Sequence, residues 1–379
     1  MITSIPPVGS RVLAFKSRAT APSFPGFDCT WLNCGTAALA LALLAAKALK
    51  PEVKKPKVIL PAYGCPDLVA AAVFAGVKPV LVDIQPDDPS YDLDKLSMSL
   101  DEAVIAVVAV NFLGIRERLQ EIKDRLVGRE IALIEDNAQW FPEEYLFEIE
   151  RSPADFILTS FGRGKPVNLL GGGLLLSKTI FTAQLKVMQA EYSLSAPKKC
   201  NAVVALGFRL KSILFNAFLT PTGYGILSRL PFLDIGATKY HSLSAITSMD
   251  EVRRRFLPLN LRQRIEQDRS IEAYYHNVLD EGGVHSLPVS LSERCGRLLR
   301  YPVLVDTELT RKYLIESKLG ASPFYGKPLI TIDGISALAI GEPNPTGARK
   351  FSERLLTFPV HSAVHQKHVD GLTKIIQRS

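Results

Sequence analysis

Four short segments of this 379-residue chain combine residue types that could do polar chemistry. Asn33-Cys34-Gly35-Thr36-Ala37-Ala38-Leu39 opens a helix. Its glycine allows close backbone approach, its threonine offers a hydroxyl, and the N–H groups of the first turn suit an anion. Alone, an ordinary helix cap is the commoner meaning of such a segment. Ile134-Glu135-Asp136-Asn137-Ala138-Gln139 follows an apolar run. Asp136 there could bind a metal, act as a base or pair with a cationic ring nitrogen, or it could simply cap its own turn. Thr159-Ser160-Phe161-Gly162-Arg163-Gly164-Lys165-Pro166 has the look of a phosphate loop, but that motif needs Gly where Thr159 stands and Ser or Thr where Pro166 stands. Lys165 is instead a candidate Schiff-base amine, although a solvated loop lysine is the commoner fate. Gly171-Gly172-Gly173 permits a tight turn beside a ligand, or a plain hairpin.

The elements around these segments alternate. Helices are expected over 36–49, 67–75 and 116–127. Short apolar runs at 57–60, 79–82, 103–110, 131–134, 156–159 and 174–176 read as buried strands. Continuous apolar strands separated by helices signal a mostly parallel sheet covered on both faces, so the fold class is α/β. Asp83, Asn111, Asp136 and Ser160 follow strands, where ligands of such sheets bind. Beyond about residue 180 the texture changes. Helices are expected at 186–192 and, as one long helix kinked or started near Pro258, over 252–279, with Gly282-Gly283 ending it. Strands near 299–305 and 357–360 suggest a smaller α+β domain.

With 47% apolar and 22% charged residues, disorder and fibrous or disulfide-built classes are excluded. The net charge of +7 is spread out, without aromatic interleaving, so no nucleic-acid partner is expected. Five cysteines, at 29, 34, 65, 200 and 295, show no Cys-x-x-Cys and read as reduced thiols of a cytoplasmic protein. The N-terminus has no apolar run long enough for a signal peptide. The apolar stretch 202–233 is interrupted by Arg209, Lys211, Pro221 and Arg229. It reads as dimer or lid packing in preference to membrane contact. His361, His365 and His368 lie close in sequence, but no thiol accompanies them and Pro359 precedes them, and no metal is expected.

In order and spacing, the four segments resemble the DegT/DnrJ/StrS-type sugar aminotransferases, which are fold-type I enzymes dependent on pyridoxal 5′-phosphate (PLP). The stretch 58–84 is similar to that family's second strand–helix–strand unit, and 351–361 to its small-domain strand. The resemblance implies a three-layer fold-type I transferase with a mostly parallel central sheet: an N-terminal arm at 1–30, a large PLP-binding domain at 31–235 and a small C-terminal domain at 236–379. It implies that Lys165 bonds to the cofactor aldehyde, that Asp136 pairs with the pyridine nitrogen and that Gln139 lies near the ring hydroxyl. Gly35, Thr36, Ala37 and Ser160 would hold the phosphate. The family's stacking aromatic aligns with Cys65, with Tyr63 two residues earlier. Its cross-subunit Asn falls in Lys239-Tyr240-His241.

The implied reaction moves an amino group from an amino acid such as glutamate onto a keto-sugar, nucleotide-linked, in polysaccharide or cell-surface glycan synthesis. The implied assembly is a homodimer with shared active sites. The alternatives are a PLP-dependent sugar dehydratase or lyase, and a catalytically degenerate protein that binds PLP or a sugar nucleotide. Lyase-type relatives lose the lysine that Lys165 supplies here.

Overall fold

The run Val104–Val110 shows no polar alternation because both faces of the strand are covered; Val104 to Ala109 are all buried. The computed structural model describes residues 3–15, 24–141, 149, 151–194, 196, 199, 201–229, 237–279 and 284–378. In chain order its first part contains β1 (Phe27–Leu32), α1 (Gly35–Leu49), β2 (Lys57–Pro61), α2 (Asp67–Phe74), β3 (Lys78–Val82), β4 (Ile84–Gln85), β5 (Asp88–Tyr91), α3 (Leu93–Met98), β6 (Val104–Val110), α4 (Leu119–Arg125), β7 (Ala132–Asp136), β8 (Phe156–Ser160), β9 (Gly173–Lys178) and α5 (Thr182–Glu191). There follow α6 (Ala202–Phe218), α7 (Pro221–Leu227), α8 (Glu251–Ile265), α9 (Ser270–Leu279), β10 (His285–Ser286), α10 (Leu287–Ser290), β11 (Tyr301–Leu304), α11 (Glu308–Glu316), β12 (Ile340–Gly341), α12 (Thr346–Arg354), β13 (Leu355–Phe358) and α13 (Gln366–Gln377).

The large sheet has the order β1-β9-β8-β7-β6-β2-β3-β12. From β8 to β12 the neighbours are parallel; β9 pairs antiparallel with both β8 and β1, so β9 alone runs against the other strands. The expected mostly parallel α/β sheet is present. One face is covered by α1, whose buried Ala37, Ala38, Ala40, Ala42, Ala45 and Ala46 let the helix lie close to the strands and to α2. The other face meets Leu96 of α3, Ile122 of α4, and Phe256, Leu257 and Leu261 of α8. A three-stranded antiparallel sheet, β10-β11-β13, packs with α9 and α13 around a third cluster. From beyond residue 236, β12 crosses back to become the parallel edge strand of the large sheet.

Two expected helices are corrected. The one expected over 116–127 shortens to α4, because the buried Glu117 carboxylate accepts the N–H groups of Tyr91 and Arg118, and Asn111 accepts that of Glu117. Those bonds hold 116–118 out of helical geometry. The single helix expected over 252–279 is two, α8 and α9. Asp268 breaks it by accepting the Ser270 N–H at 2.9 Å. The first of them starts well before Pro258, where the Asp250 carboxylate caps it by accepting the Arg253 N–H at 2.9 Å. The domain boundary at 235–236, Gly282-Gly283 and Cys200 lie outside the described residues.

Candidate active site

Parallel strands place their carboxyl ends side by side, and here that edge carries Asp136 at the end of β7 and Ser160 at the end of β8. The N-terminus of α1 faces the same edge. Together with the loop that follows β8 they enclose one cleft, whose polar lining is Gly35, Thr36, Cys65, Asp67, Asp136, Gln139, Ser160 and Lys165, above a floor of Leu39, Val110 and Leu158. Of the eight residues that the family resemblance assigns to the cofactor, Gly35, Thr36, Cys65, Asp136, Gln139, Ser160 and Lys165 line this cleft and Ala37 does not. Ala37 is fully buried behind it, its N–H directed at the Cys34 thiol at 3.4 Å. Sulfur is a weak acceptor, so the first turn of α1 keeps donor capacity for an anion.

The corner between α1 and β8 needs glycine. A Cβ on Gly35 would lie 2.7 Å from that of Ser160, and one on Gly173 would lie 2.4 Å from the Cys34 carbonyl oxygen. The glycine run is therefore no plain hairpin, since it lets β9 and the loop after β8 press against the start of α1. Arg253 fastens that loop from α8 by donating to the carbonyls of Leu169 and Leu170.

At the opposite end of the cleft, Asp136 is buried. Its Oδ1 accepts the Ala138 N–H at 2.8 Å. Burial pushes its carboxyl pKa above the usual carboxylate range. The Ala138 N–H and the Lys165 ammonium oppose that shift, and the Asp67 carboxylate adds to it. Such a group is short of positive charge. Gln139 is held on both sides: its Oε1 accepts the Leu113 N–H at 3.2 Å, and its Nε2 donates to the Tyr325 hydroxyl at 2.7 Å.

The structure separates the two candidates for the cofactor face. Cys65 lines the cleft, whereas Tyr63 is buried among Phe112, Tyr325 and Phe351, its hydroxyl donating to the Phe324 carbonyl. Burial, with help from Asp67, pushes the Cys65 thiol up to about 11, so it stays protonated. Lys239 and His241 are both exposed on this chain. Asp83 and Asn111 serve the fold. Asp83 accepts the N–H groups of Gly347 and Ala348 at the start of α12, and Asn111 bridges Glu135 and Asn137. His361 is buried with Nε2 2.8 Å from the Pro6 carbonyl oxygen. Among the described residues no three His, Cys, Asp or Glu side chains cluster as metal ligands.

Two cleft residues escape a sequence reading. Asp67, at the first position of α2, accepts the Thr36 hydroxyl at 3.1 Å. Tyr325, with a left-handed φ of 62°, reaches the cleft edge from a loop remote in sequence and meets Gln139 and Cys65. The only local sign of the latter is the adjoining Gly326, also left-handed.

A family model described as the DegT/DnrJ/EryC1/StrS aminotransferase family matches residues 22–213, just over half the chain and the whole cleft apart from Tyr325. The chain belongs to the DegT/DnrJ/EryC1/StrS aminotransferase family. Protein MosB of Rhizobium meliloti is 28% identical to this family member over 166 residues, 44% of this chain and 32% of MosB. The chain spans about a third of the length of the curated relatives it matches. An aminotransferase of the same family from Brucella abortus superimposes with a TM-score of 0.63 at 16% identity, covering 93% of this chain and 86% of that one. The GDP-4-keto-6-deoxy-D-mannose-3-dehydratase of E. coli, solved with bound hydrated PLP, gives 0.66 at 16%, covering 93% and 88%. At these identities the likeness establishes a shared fold, within which both transferase and dehydratase chemistry occur.

Proposed function

We propose that this chain is a PLP-dependent aminotransferase that moves an amino group from an amino acid, glutamate in the first instance, to a nucleotide-linked keto-sugar. The observation that carries the reading is the pairing within one cleft of Lys165 with Asp136, a buried carboxylate short of a cation. The donor set fits PLP. The first turn of α1 and the Ser160 hydroxyl offer a phosphate corner, Lys165 an amine for the aldehyde, and Asp136 a counter-charge for a ring nitrogen. Asp67 is the exception, an acid beside the phosphate corner, partly offset by its place at the N-terminus of α2.

When bound, PLP supplies an electron sink for carbanion charge. Asp136 holds positive charge at the ring nitrogen by its own negative charge. The Lys165 Nζ would take and return the proton at the substrate carbon, help worth about 10²–10⁴-fold. Cys65, kept a neutral thiol, presents a polarizable surface and does not compete as a nucleophile. Gln139, braced by Leu113 and Tyr325, fixes the ring edge.

The test is a half-reaction. PLP-loaded protein mixed with glutamate should lose its visible absorption and release 2-oxoglutarate in a single turnover. The second half separates the readings: given a keto-sugar nucleotide, the aminated cofactor of a transferase yields an amino-sugar nucleotide, a dehydratase yields a product that has lost water and kept no nitrogen, and a pure binder converts neither glutamate nor sugar. Retention of Lys165 favours transfer.

Gly35→Ala tests the phosphate corner. The added methyl must displace Ser160, so PLP affinity should fall roughly 10- to 100-fold, the worth of one charge-assisted hydrogen bond or slightly more. Fluorescence titration of the cofactor reads it, and unchanged affinity places the phosphate elsewhere.

A further inference from the structure

The outer face of α6 has a use that the cleft does not explain. Val203, Leu206, Leu210, Ile213 and Ala217 recur at alternating three- and four-residue steps, which puts them on one stripe of the helix. Val203 is 75% exposed, Leu210 58% and Ile213 66%; Leu214 widens the stripe, and Ile226 extends the exposed apolar surface onto α7. The opposite face fastens α6 to the body. Phe208 is buried and stacks on Phe256 of α8 at 5.8 Å, Ser212 is buried, and the Asn216 side chain exchanges hydrogen bonds with the Val12 backbone at 2.9 Å each. The stripe has no partner among the described residues. A single exposed leucine is ordinary, but a continuous apolar stripe marks a contact surface.

The charge around it selects the partner. From Tyr192 to Leu233 the sequence contains no Asp or Glu, but it has Lys198, Lys199, Arg209, Lys211 and Arg229. At about 100° per residue, the exposed Arg209 and Lys211 fall on the two flanks of the stripe. A second copy of this helix would bring like charges together with no carboxylate of the segment to pair them. No residue of α6 or α7 lines the cleft, so nothing among the described residues gives this face the part of a lid. Nor does the segment span a bilayer as one rod. No single described helix is long and apolar enough to cross, Arg209 and Lys211 interrupt α6, and the chain bends by 90° into α7.

We propose that the α6–α7 face lies on the surface of an anionic lipid bilayer, with the stripe sunk at the headgroup boundary and the exposed Lys211, together with Arg209 at its seat 5.9 Å from the centre of the Phe256 ring, at the headgroups. This replaces the sequence expectation of dimer or lid packing.

Flotation of the PLP-loaded full chain tests it, with vesicles of phosphatidylcholine mixed with phosphatidylglycerol and vesicles of phosphatidylcholine alone. The mixed vesicles should bind roughly tenfold or more tighter, with binding weakened by salt. The exposed pair Leu210→Glu with Ile213→Glu should abolish binding, and Arg209→Gln with Lys211→Gln should weaken it roughly tenfold. Unchanged far-ultraviolet circular dichroism and glutamate turnover verify that each variant is folded. If the apolar pair does not fold, the charge pair alone decides. Absence of vesicle binding overturns the proposal, as does binding that neither pair alters. Conversion of an oligomer to monomer by the apolar pair, with no vesicle binding in the parent, gives the face to a second copy and also overturns it.

Discussion

Lys165→Ala should lose the Schiff-base absorption band after reconstitution with PLP and should fail to trap cofactor on borohydride reduction, with glutamate turnover down by at least about 10³-fold. Lys165 is only partly buried, on the loop after β8, and its removal leaves the strand-end scaffold of Asp136 and Ser160 intact. The variant should therefore fold, and circular dichroism should be unchanged. The expected loss combines two roles that cannot be separated by a single substitution. In the proposed reaction Nζ would make the covalent link to the aldehyde and would move the proton at the substrate carbon, the latter alone worth about 10²–10⁴-fold. Lys165→Arg keeps the positive charge near Asp136 but offers no nucleophilic amine, because guanidinium stays protonated. It should resemble the alanine variant in colour and activity. A Lys165→Ala protein that keeps the Schiff-base band and still consumes glutamate would sink the assignment of this residue.

How much of this cleft can be read from sequence depends on how local the determinants are. Strand ends are local. The apolar runs 103–110 and 131–134 stop where Asn111 and Asp136 begin, and burial on both faces leaves no other reading of those runs. Gly35 and Thr36 follow from the same logic, because a helix that opens behind a strand points its N–H groups at the edge where the strand ends. What is not local cannot be read. Tyr325 arrives from the far end of the chain, through a backbone conformation that non-glycine residues seldom adopt, so no periodicity announces it. Asp67 looks like any acid in the first turn of a helix, and only the packing of α2 beside α1 brings it to the Thr36 hydroxyl. Between Tyr63 and Cys65 the sequence gives no decision, because both flank the same turn. The aromatic cluster of Phe112, Phe351 and Tyr325 takes the tyrosine inward. Composition sees the same apolar residues in 202–233 as in a core helix; which of them stay exposed depends on Phe208 and Asn216 anchoring the other face.

Asp136→Asn should divide catalysis from stability. Asn keeps the size of the side chain, and its Oδ1 can still accept the Ala138 N–H. It lacks the charge that would hold a protonated ring nitrogen, so amino transfer should slow by about 10²–10³-fold, as when one preorganised electrostatic partner is removed. Stability should move the other way in the cofactor-free chain. The carboxyl pKa is raised in the folded state, first by burial, so the folded chain binds this proton more tightly than the unfolded one. The contribution of Asp136 to stability is then greatest below the unfolded value, near 3.9, and is lost as pH rises through the higher folded value. At neutral pH the ionised side chain is a cost that Asn does not carry. Without PLP, Asp136→Asn should melt above the parent at pH 7, and the gap should close as pH is lowered toward 4. Saturating PLP should reverse the order, because the ring cation turns the buried charge of Asp136 from a liability into a bond that Asn cannot form. Melting curves at two pH values, each with and without PLP, give the four numbers needed. Identical ranking in all four conditions would mean that Asp136 never meets a cation, and the pairing on which the proposed chemistry rests would be gone.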